Sequence, residues 1–204
     1  VVQDDSHTAP QSDKRILDIG TGSGCIALYL AQALPHSTVT GIDINPAAIE
    51  LAVENKIRNK VSNAVFVQGD VFGQNDWIPD QAREDILEKN SPGGDPGPRK
   101  DPLFSLIISN PPYVTEDEYT QIDADVARWE DKSALVADDN GLAFYKKITS
   151  LAPQYLATGG MLVFEIGTTQ DTKVTALMEA TGLTDVTVHQ DSFGHNRWVV
   201  GKRS

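Results

Sequence analysis

"ILDIGTGSGCIAL", residues Ile16 to Leu28, decides how this chain is read. A short β-like run ends in Gly20, Gly22 and Gly24, and a helical run follows at once. Glycines between a strand and a helix let the backbone come close to a ligand, and the helix N-terminus offers free N–H groups there. The dinucleotide-binding pattern is Gly-x-Gly-x-x-Gly. Here Cys25 stands where its third glycine would fall, the spacing is Gly-x-Gly-x-Gly, and Asp18 lies just before it. An NAD-dependent oxidoreductase is therefore disfavoured.

Strand and helix patterns alternate outward from this stretch. "TVTGIDI" reads as a second strand and ends in Asp43, with Ile44 next to it. A carboxylate at that strand end can accept both hydroxyls of a ribose. In "NPAAIELAVENKIRN", Asn45 is an N-cap, Pro46 takes the first helical position, and Ile49, Ala52, Val53 and Ile57 fall at helical spacing. "AVFVQGD" is a third strand that runs into Asp70 and Val71, where an adenine fits. "PLFSLIIS" is a fourth and "GGMLVFEIG" a fifth. Phe144, Tyr145, Ile148, Leu151, Ala152 and Tyr155 form a helical stripe, with Pro153 bending the helix or sitting on a tolerant face. A helix over Gln170 to Ala180 precedes two closing strands, "DVTVHQD" and "RWVVGKR", that can pair antiparallel. The order predicts an α/β fold, a doubly wound and mostly parallel sheet with helices on both faces.

Composition sets the outer limits. The 204 residues suit one domain with a core of its own. Residues 1–14 read as a polar linker, neither a secretory signal nor an Arg-rich transit peptide, and the chain is expected to begin inside a longer protein. The domain is expected over 15–204. Five of the eleven prolines fall between Gly73 and Pro102, which reads as a flexible surface insertion with a short helix near Gln81 to Lys89. The formal net charge is -12, and no Lys/Arg stripe offsets it, so nucleic acid is a disfavoured partner. One cysteine and four scattered histidines give no disulfide and no metal spacing, so no metal is expected. No apolar run reaches the ~18 residues of a membrane span.

The fourth strand runs into Asn110, Pro111, Pro112 and Tyr113. In a doubly wound sheet that strand end stands at the switch in strand order, beside the ligand. Two carbonyl oxygens there, the Asn110 side chain and the Pro111 backbone, can hold both N–H bonds of a planar nitrogen. The prolines stiffen the turn and bring no competing N–H groups. Tyr113 is expected to offer a flat face to the acceptor. The motif points to methylation of a planar nitrogen, and by itself leaves open adenine, guanine or glutamine. A Pro-Pro turn that merely ends a strand is the plainer alternative.

Together the glycine loop, Asp43, Asp70 and Asn-Pro-Pro-Tyr resemble class I S-adenosylmethionine-dependent methyltransferases, whose fold is a Rossmann-like sheet of seven strands with the last one antiparallel. Further along, Arg128, Trp129, Glu130, Ala134, Leu135, Gly141 and Leu142 look like the stretch that follows this motif in the protein-(glutamine-N5) methyltransferases of peptide-chain release factors. Glu165, Gly167 and Gln170, and then Asp191, Gly194 and Arg197, continue the likeness, which runs from Ile16 to about Lys202. The resemblance implies S-adenosyl-L-methionine held by Gly20, Thr21, Gly22, Ser23, Gly24, Asp43, Ile44, Asp70, Val71 and Asn110. It implies a catalytic Asn110, Pro111, Pro112 and Tyr113 against the glutamine of a Gly-Gly-Gln loop in a class 1 release factor. It implies an intracellular monomer, in the cytoplasm of a bacterium or the mitochondrion of a eukaryote. Two departures stand out: Asp131 replaces the family's Pro, and the family's helical N-terminal domain and Pro-Arg linker are not among these residues.

Two other functions compete. An adenine-N6 methyltransferase acting on DNA or RNA uses the same four residues and predicts a basic surface. A nonenzymatic cofactor- or partner-binding subunit predicts binding without turnover. Cys25 is expected in the core, Glu165 in a structural role, Trp129 and Glu130 either in the acceptor pocket or bracing the loop, and the acidic run from Asp123 to Asp139 on a solvated face.

Overall fold

The computed structural model describes residues 14–73, 104–121 and 132–204. Its first strand, β1 (Lys14–Ile19), alternates across the sheet: Ile16 packs in one apolar layer, Leu17 and Ile19 in the other. Helix α1 (Cys25–Ala33) covers the first layer with Ala27, Leu28 and Ala31, while Tyr29 is exposed. Strand β2 (Ser37–Asp43) leads to α2 (Pro46–Arg58), where the Asn45 side chain accepts from the Ala47 N–H at 3.0 Å and Pro46 takes the first position, as the sequence predicts. The apolar face of α2 is narrower than its spacing suggests. Ala52 is fully buried and Ile49 packs beside it, but Val53 and Ile57 face outward. The small Ala52 side chain allows a close approach, and only a thin stripe of helix then meets the sheet.

Strands β3 (Ala64–Gln68), β4 (Phe104–Ser109), β5 (Leu156–Glu165), β6 (Leu183–Gln190) and β7 (Asn196–Arg203) complete one sheet in the order β3-β2-β1-β4-β5-β7-β6. β7 runs antiparallel to both neighbours, and every other pairing is parallel. β5 starts three residues before the expected Gly159, because Leu156 already pairs with Phe104 across a bulge. Helices α5 (Ala143–Tyr155) and α6 (Asp171–Ala180) cover the second layer, where Tyr145, Ile148, Ala152, Val174 and Met178 are buried. Pro153 sits in the last turn of α5, where the lost N–H removes a single helix bond and the helix continues.

Two short helical turns follow β4 among the described residues. α3 (Glu116–Tyr119) is one turn closed by a capping box: Thr115 Oγ1 accepts from the Glu118 N–H at 3.2 Å, and Glu118 accepts from the Thr115 N–H at 2.9 Å. A second turn, α4 (Lys132–Leu135), precedes Val136, which bridges to Val114. Asp139, Asn140 and Gly141 then run left-handed, at φ 58°, 54° and 77°. Asp138 and Asp139 are exposed, and Asp139 pairs with Lys146. The polar first residues, nearly all of the 73–102 stretch with the helix expected near Gln81 to Lys89, and Arg128, Trp129 and Glu130 lie outside the described residues. Among the described residues no helix is long and apolar enough to cross a membrane, and no group of side chains is placed to hold a metal.

Gly24 ties the loop to the fold. Its φ is +81°, and a Cβ there would meet the Phe66 ring at 2.9 Å and the Ala52 Cβ at 3.1 Å. Gly22 is also left-handed but opens onto free space. Gly24→Ala is expected to cost about 3 kcal/mol in denaturant unfolding and Gly22→Ala about 1 kcal/mol. Equal losses at the two positions would contradict a packing role for Gly24.

Candidate active site

The strand order reverses beside β1, so the carboxyl ends of β1 and β4 open onto a crevice. The glycine loop enters it under tight control. The Gly20 and Thr21 N–H groups both donate to the Ile42 carbonyl at 2.9 Å. The Gly22 N–H donates to Asp43 Oδ2 at 2.9 Å, and the Asn45 N–H to Asp43 Oδ1 at 2.9 Å. Each Asp43 oxygen thus keeps a lone pair for a ligand hydroxyl. From α2, Asn55 donates to the Ser23 carbonyl at 3.0 Å. That clamp has no sequence signature beyond one Asn on a helix.

Beneath the loop lies Asp18, fully buried. The Thr21 hydroxyl donates to its Oδ2 at 2.7 Å, while Oδ1 has no hydrogen-bond partner. Burial is the main force on this carboxyl and raises its pKa to about 6; the Thr21 hydroxyl and the Ala27 N–H pull it down, and Asp43 pushes it up. An under-satisfied carboxylate below a glycine loop favours positive charge above it. On the other wall, the buried Ser109 hydroxyl donates to the Ile19 carbonyl at 2.8 Å and locks the end of β4 to the end of β1.

These elements enclose a cavity of about 690 Å³. Gly20, Thr21, Gly22, Ser23, Asp43, Ile44, Asp70, Val71 and Asn110 of the expected cofactor residues line it, together with Pro111 and Pro112; Gly24 instead faces Phe66. The size suits a nucleoside-bearing ligand. Ile44, Leu51 and Phe72 are exposed apolar side chains on its wall, and Phe72 meets Phe144 edge to face at 4.8 Å. Cys25 corrects an expectation: it is exposed on this wall, not in the core, because the first residue of α1 faces the crevice while Ala27 and Leu28 turn to the sheet. The donor set fits S-adenosylmethionine: a carboxylate at the ribose position, apolar walls for a flat base, and buried negative charge near a cationic end.

Tyr113 is not brought to that cavity. It packs half-buried against the main core and lines a second cavity of about 520 Å³, with Thr115, Asn140, Gln170, Lys173 and Arg197. Burial raises its hydroxyl pKa, Glu165 adds to this, and Arg197 opposes it. Glu165 is likewise raised by burial, with Arg197 opposing. Arg197 also donates to Asp191 Oδ2 at 3.4 Å, which with backbone donors from His195 and Phe193 holds that carboxyl below its ordinary range.

Comparison with known proteins fits this geometry. The methyltransferase domain family matches residues 10–91. A methyltransferase structure from Pyrococcus furiosus superposes with TM-score 0.61 at 19% identity, over 94% of this chain and 76% of that one. A SAM-dependent methyltransferase from Aquifex aeolicus gives 0.57 at 13%, over 94% and 82%. The chain has the class I methyltransferase fold. It is 42% identical over 190 residues to the release factor glutamine methyltransferase of Vibrio cholerae, and 38% identical over 192 residues to that of Fusobacterium nucleatum. Those matches cover 93% and 94% of this domain but 58% and 48% of the two relatives, so it spans about half the length of proteins of this kind.

The Asp18 carboxyl makes the domain sensitive to pH. Its folded pKa, about 6, lies above the ordinary 3.8, so the folded state binds the proton more tightly than the unfolded chain. Its contribution is fully present below the ordinary pKa and is lost as pH rises through about 6, a change on the order of 3 kcal/mol. Urea unfolding of the wild type and Asp18→Asn across this range is expected to show the wild type losing stability relative to the variant, then levelling off. A constant difference would mean an ordinary carboxyl at this position.

Proposed function

We propose that the domain transfers a methyl group from S-adenosylmethionine to the side-chain amide nitrogen of the glutamine in the Gly-Gly-Gln loop of a class 1 peptide-chain release factor. One observation carries the reading. Asn110, Pro111 and Pro112 open onto the same cavity as the glycine loop and Asp43, so an amide held by the motif lies beside the cofactor position. Two relatives named for this reaction, similar across nearly the whole domain, favour glutamine over a nucleobase.

The cofactor supplies an electrophilic methyl group on positively charged sulfur. The residues do the rest. Gly20 to Ser23 offer backbone, Asp43 takes the ribose hydroxyls, and Ile44, Val71 and Phe72 flank the base. The Asn110 side-chain oxygen and the Pro111 carbonyl accept the two N–H groups of the glutamine amide, which fixes its plane. As positive charge grows on that nitrogen, these two dipoles stabilise it without reorganising. Pro112, Ala134 and Phe144 line the acceptor side of the cavity. The alkylated nitrogen is acidic and releases its proton to solvent, so no strong base is needed. Most of the rate comes from alignment.

The reading is tested by mass spectrometry of a release factor incubated with the chain and S-adenosylmethionine, with a DNA oligonucleotide as parallel acceptor. The expected result is a gain of one CH₂ on the Gly-Gly-Gln glutamine and an unchanged oligonucleotide. Methylated adenine alone would overturn it in favour of a nucleic-acid enzyme. Asn110 is exposed, so Asn110→Ala should fold normally, and it is expected to lower transfer by about 100-fold or more. A near wild-type rate in that variant would refute the two-carbonyl mechanism.

A further inference from the structure

Gln170 is nine-tenths buried, and its side-chain amide meets four segments of the chain at once. Its Oε1 accepts from the Gly167 N–H at 3.0 Å and lies 3.3 Å from the Tyr145 hydroxyl, whose single hydrogen it shares with the Glu165 carbonyl at 2.9 Å. Its Nε2 donates to the Tyr113 carbonyl at 3.0 Å and to the Gly141 carbonyl at 3.4 Å. Both amide hydrogens are thus used, and its oxygen is engaged by a backbone N–H and by the shared tyrosine hydroxyl. The orientation is unambiguous, because a backbone N–H faces one end and two carbonyls face the other.

The surroundings are shaped for this group. Gly141 is left-handed, and a Cβ on it would overlap the Tyr113 carbonyl oxygen and come within 2.7 Å of Gln170 Nε2. A Cβ on Gly167 would press on Gln170 Oε1 at 3.0 Å and on the Tyr113 ring at 3.3 Å. Two non-glycine residues, Asp139 and Asn140, are held left-handed to bring Gly141 there.

We propose that Gln170 is a positioning residue for methyl transfer: it fixes the exit end of the Asn-Pro-Pro-Tyr turn and thereby aims the Pro111 carbonyl. The entry end is already fixed, since Ser109 is bonded to Ile19. Between the two clamps the proline rings freeze two φ angles. Holding the Tyr113 carbonyl then leaves the Pro111 oxygen little freedom. Releasing it lets that oxygen drift, and a displacement near 1 Å at the reacting group costs about 100-fold in rate. The part of this inference that concerns transfer rests on the reading of Asn110 and Pro111 given above.

Gln170→Met keeps the length and volume of the side chain and removes both donors. Gln170 and Tyr113 both border the second cavity, so water can reach the freed Tyr113 carbonyl, and the variant is expected to fold. The expected result is a kcat at least about tenfold lower, with the dissociation constant for S-adenosylmethionine within about threefold of wild type. Tyr145→Phe is the control: it removes the hydroxyl shared by Oε1 and the Glu165 carbonyl, leaves the Tyr113 and Gly141 carbonyls held by Gln170, and is expected to keep kcat even where its Tm falls. Hydrogen exchange at the Val114 amide, bonded to the Leu135 carbonyl at 2.9 Å, reads the order of the turn with no acceptor present. It is expected to quicken in Gln170→Met, while the Gly22 amide is unchanged. Unaltered exchange at Val114, a wild-type kcat in Gln170→Met, or a kcat in Tyr145→Phe that falls in step with Tm would each overturn the proposal. If Gln170→Met does not fold, Gln170→Glu keeps the acceptor for the Gly167 N–H, opposes the two carbonyls and is expected to lose kcat in the same way. A wild-type chain that methylates no release factor refutes the acceptor reading alone, and the exchange measurement still decides the brace.

Discussion

The parallel pairing of β1 with β4 sets Ile19 opposite Ser109, and the site depends on that register. One residue past Ile19 the chain turns into the glycine loop, and one past Ser109 it becomes Asn110. The ladder therefore fixes how far the glycine loop stands from the Asn-Pro-Pro-Tyr turn. A slip of one residue would turn Leu17 and Ile107 out of the core, each fully buried, so the register is held by apolar packing as well as by backbone bonds. The Ser109 hydroxyl on the Ile19 carbonyl adds a side-chain bond where the ladder ends.

Charge is arranged around the same point. Asp18 and Asp43 flank the glycine loop, one buried without full pairing and the other bonded to two backbone N–H groups. An acidic chain that places two carboxylates beside its cavity suits a cationic sulfonium better than a polyphosphate. The cationic side chains that border the second cavity, Lys173 and Arg197, stand beyond Tyr113 and are not among the residues that line the glycine-loop cavity. The two cavities thus differ in character, although the same turn separates them.

Much of this was legible in the sequence, for physical reasons. Alternating strand and helix periods fixed a doubly wound sheet, and Gly-x-Gly-x-Gly with Asp43 at the next strand end marked the cavity, because those roles depend on backbone position. Side-chain direction was not legible. Cys25 faces the crevice through its place in the first turn of α1, and Tyr113 turns toward the core and Arg197 through the path of the chain after Pro112. Ala52, a small residue, narrows the contact face of α2, which spacing alone cannot show. Thr115 and Glu118 did carry a signal, the Thr-x-x-Glu of a capping box, hidden inside a run of acidic residues. Asp139 and Asn140 sit left-handed because Gly141 must approach Tyr113, a demand that comes from the far side of the loop.

The bond from Ser109 to Ile19 joins residues 90 positions apart, as does that from Ser105 to Arg15. The two halves of the cavity therefore meet only when a long loop closes. Such long-range parallel pairing slows folding, since chain entropy is lost before the contacts form. The equilibrium penalty grows only with the logarithm of the loop, about 0.6 kcal/mol for each doubling. The segment between β3 and β4 can thus lengthen or shorten during evolution at little expense in stability, and the burden of its length falls on the time the domain needs to fold.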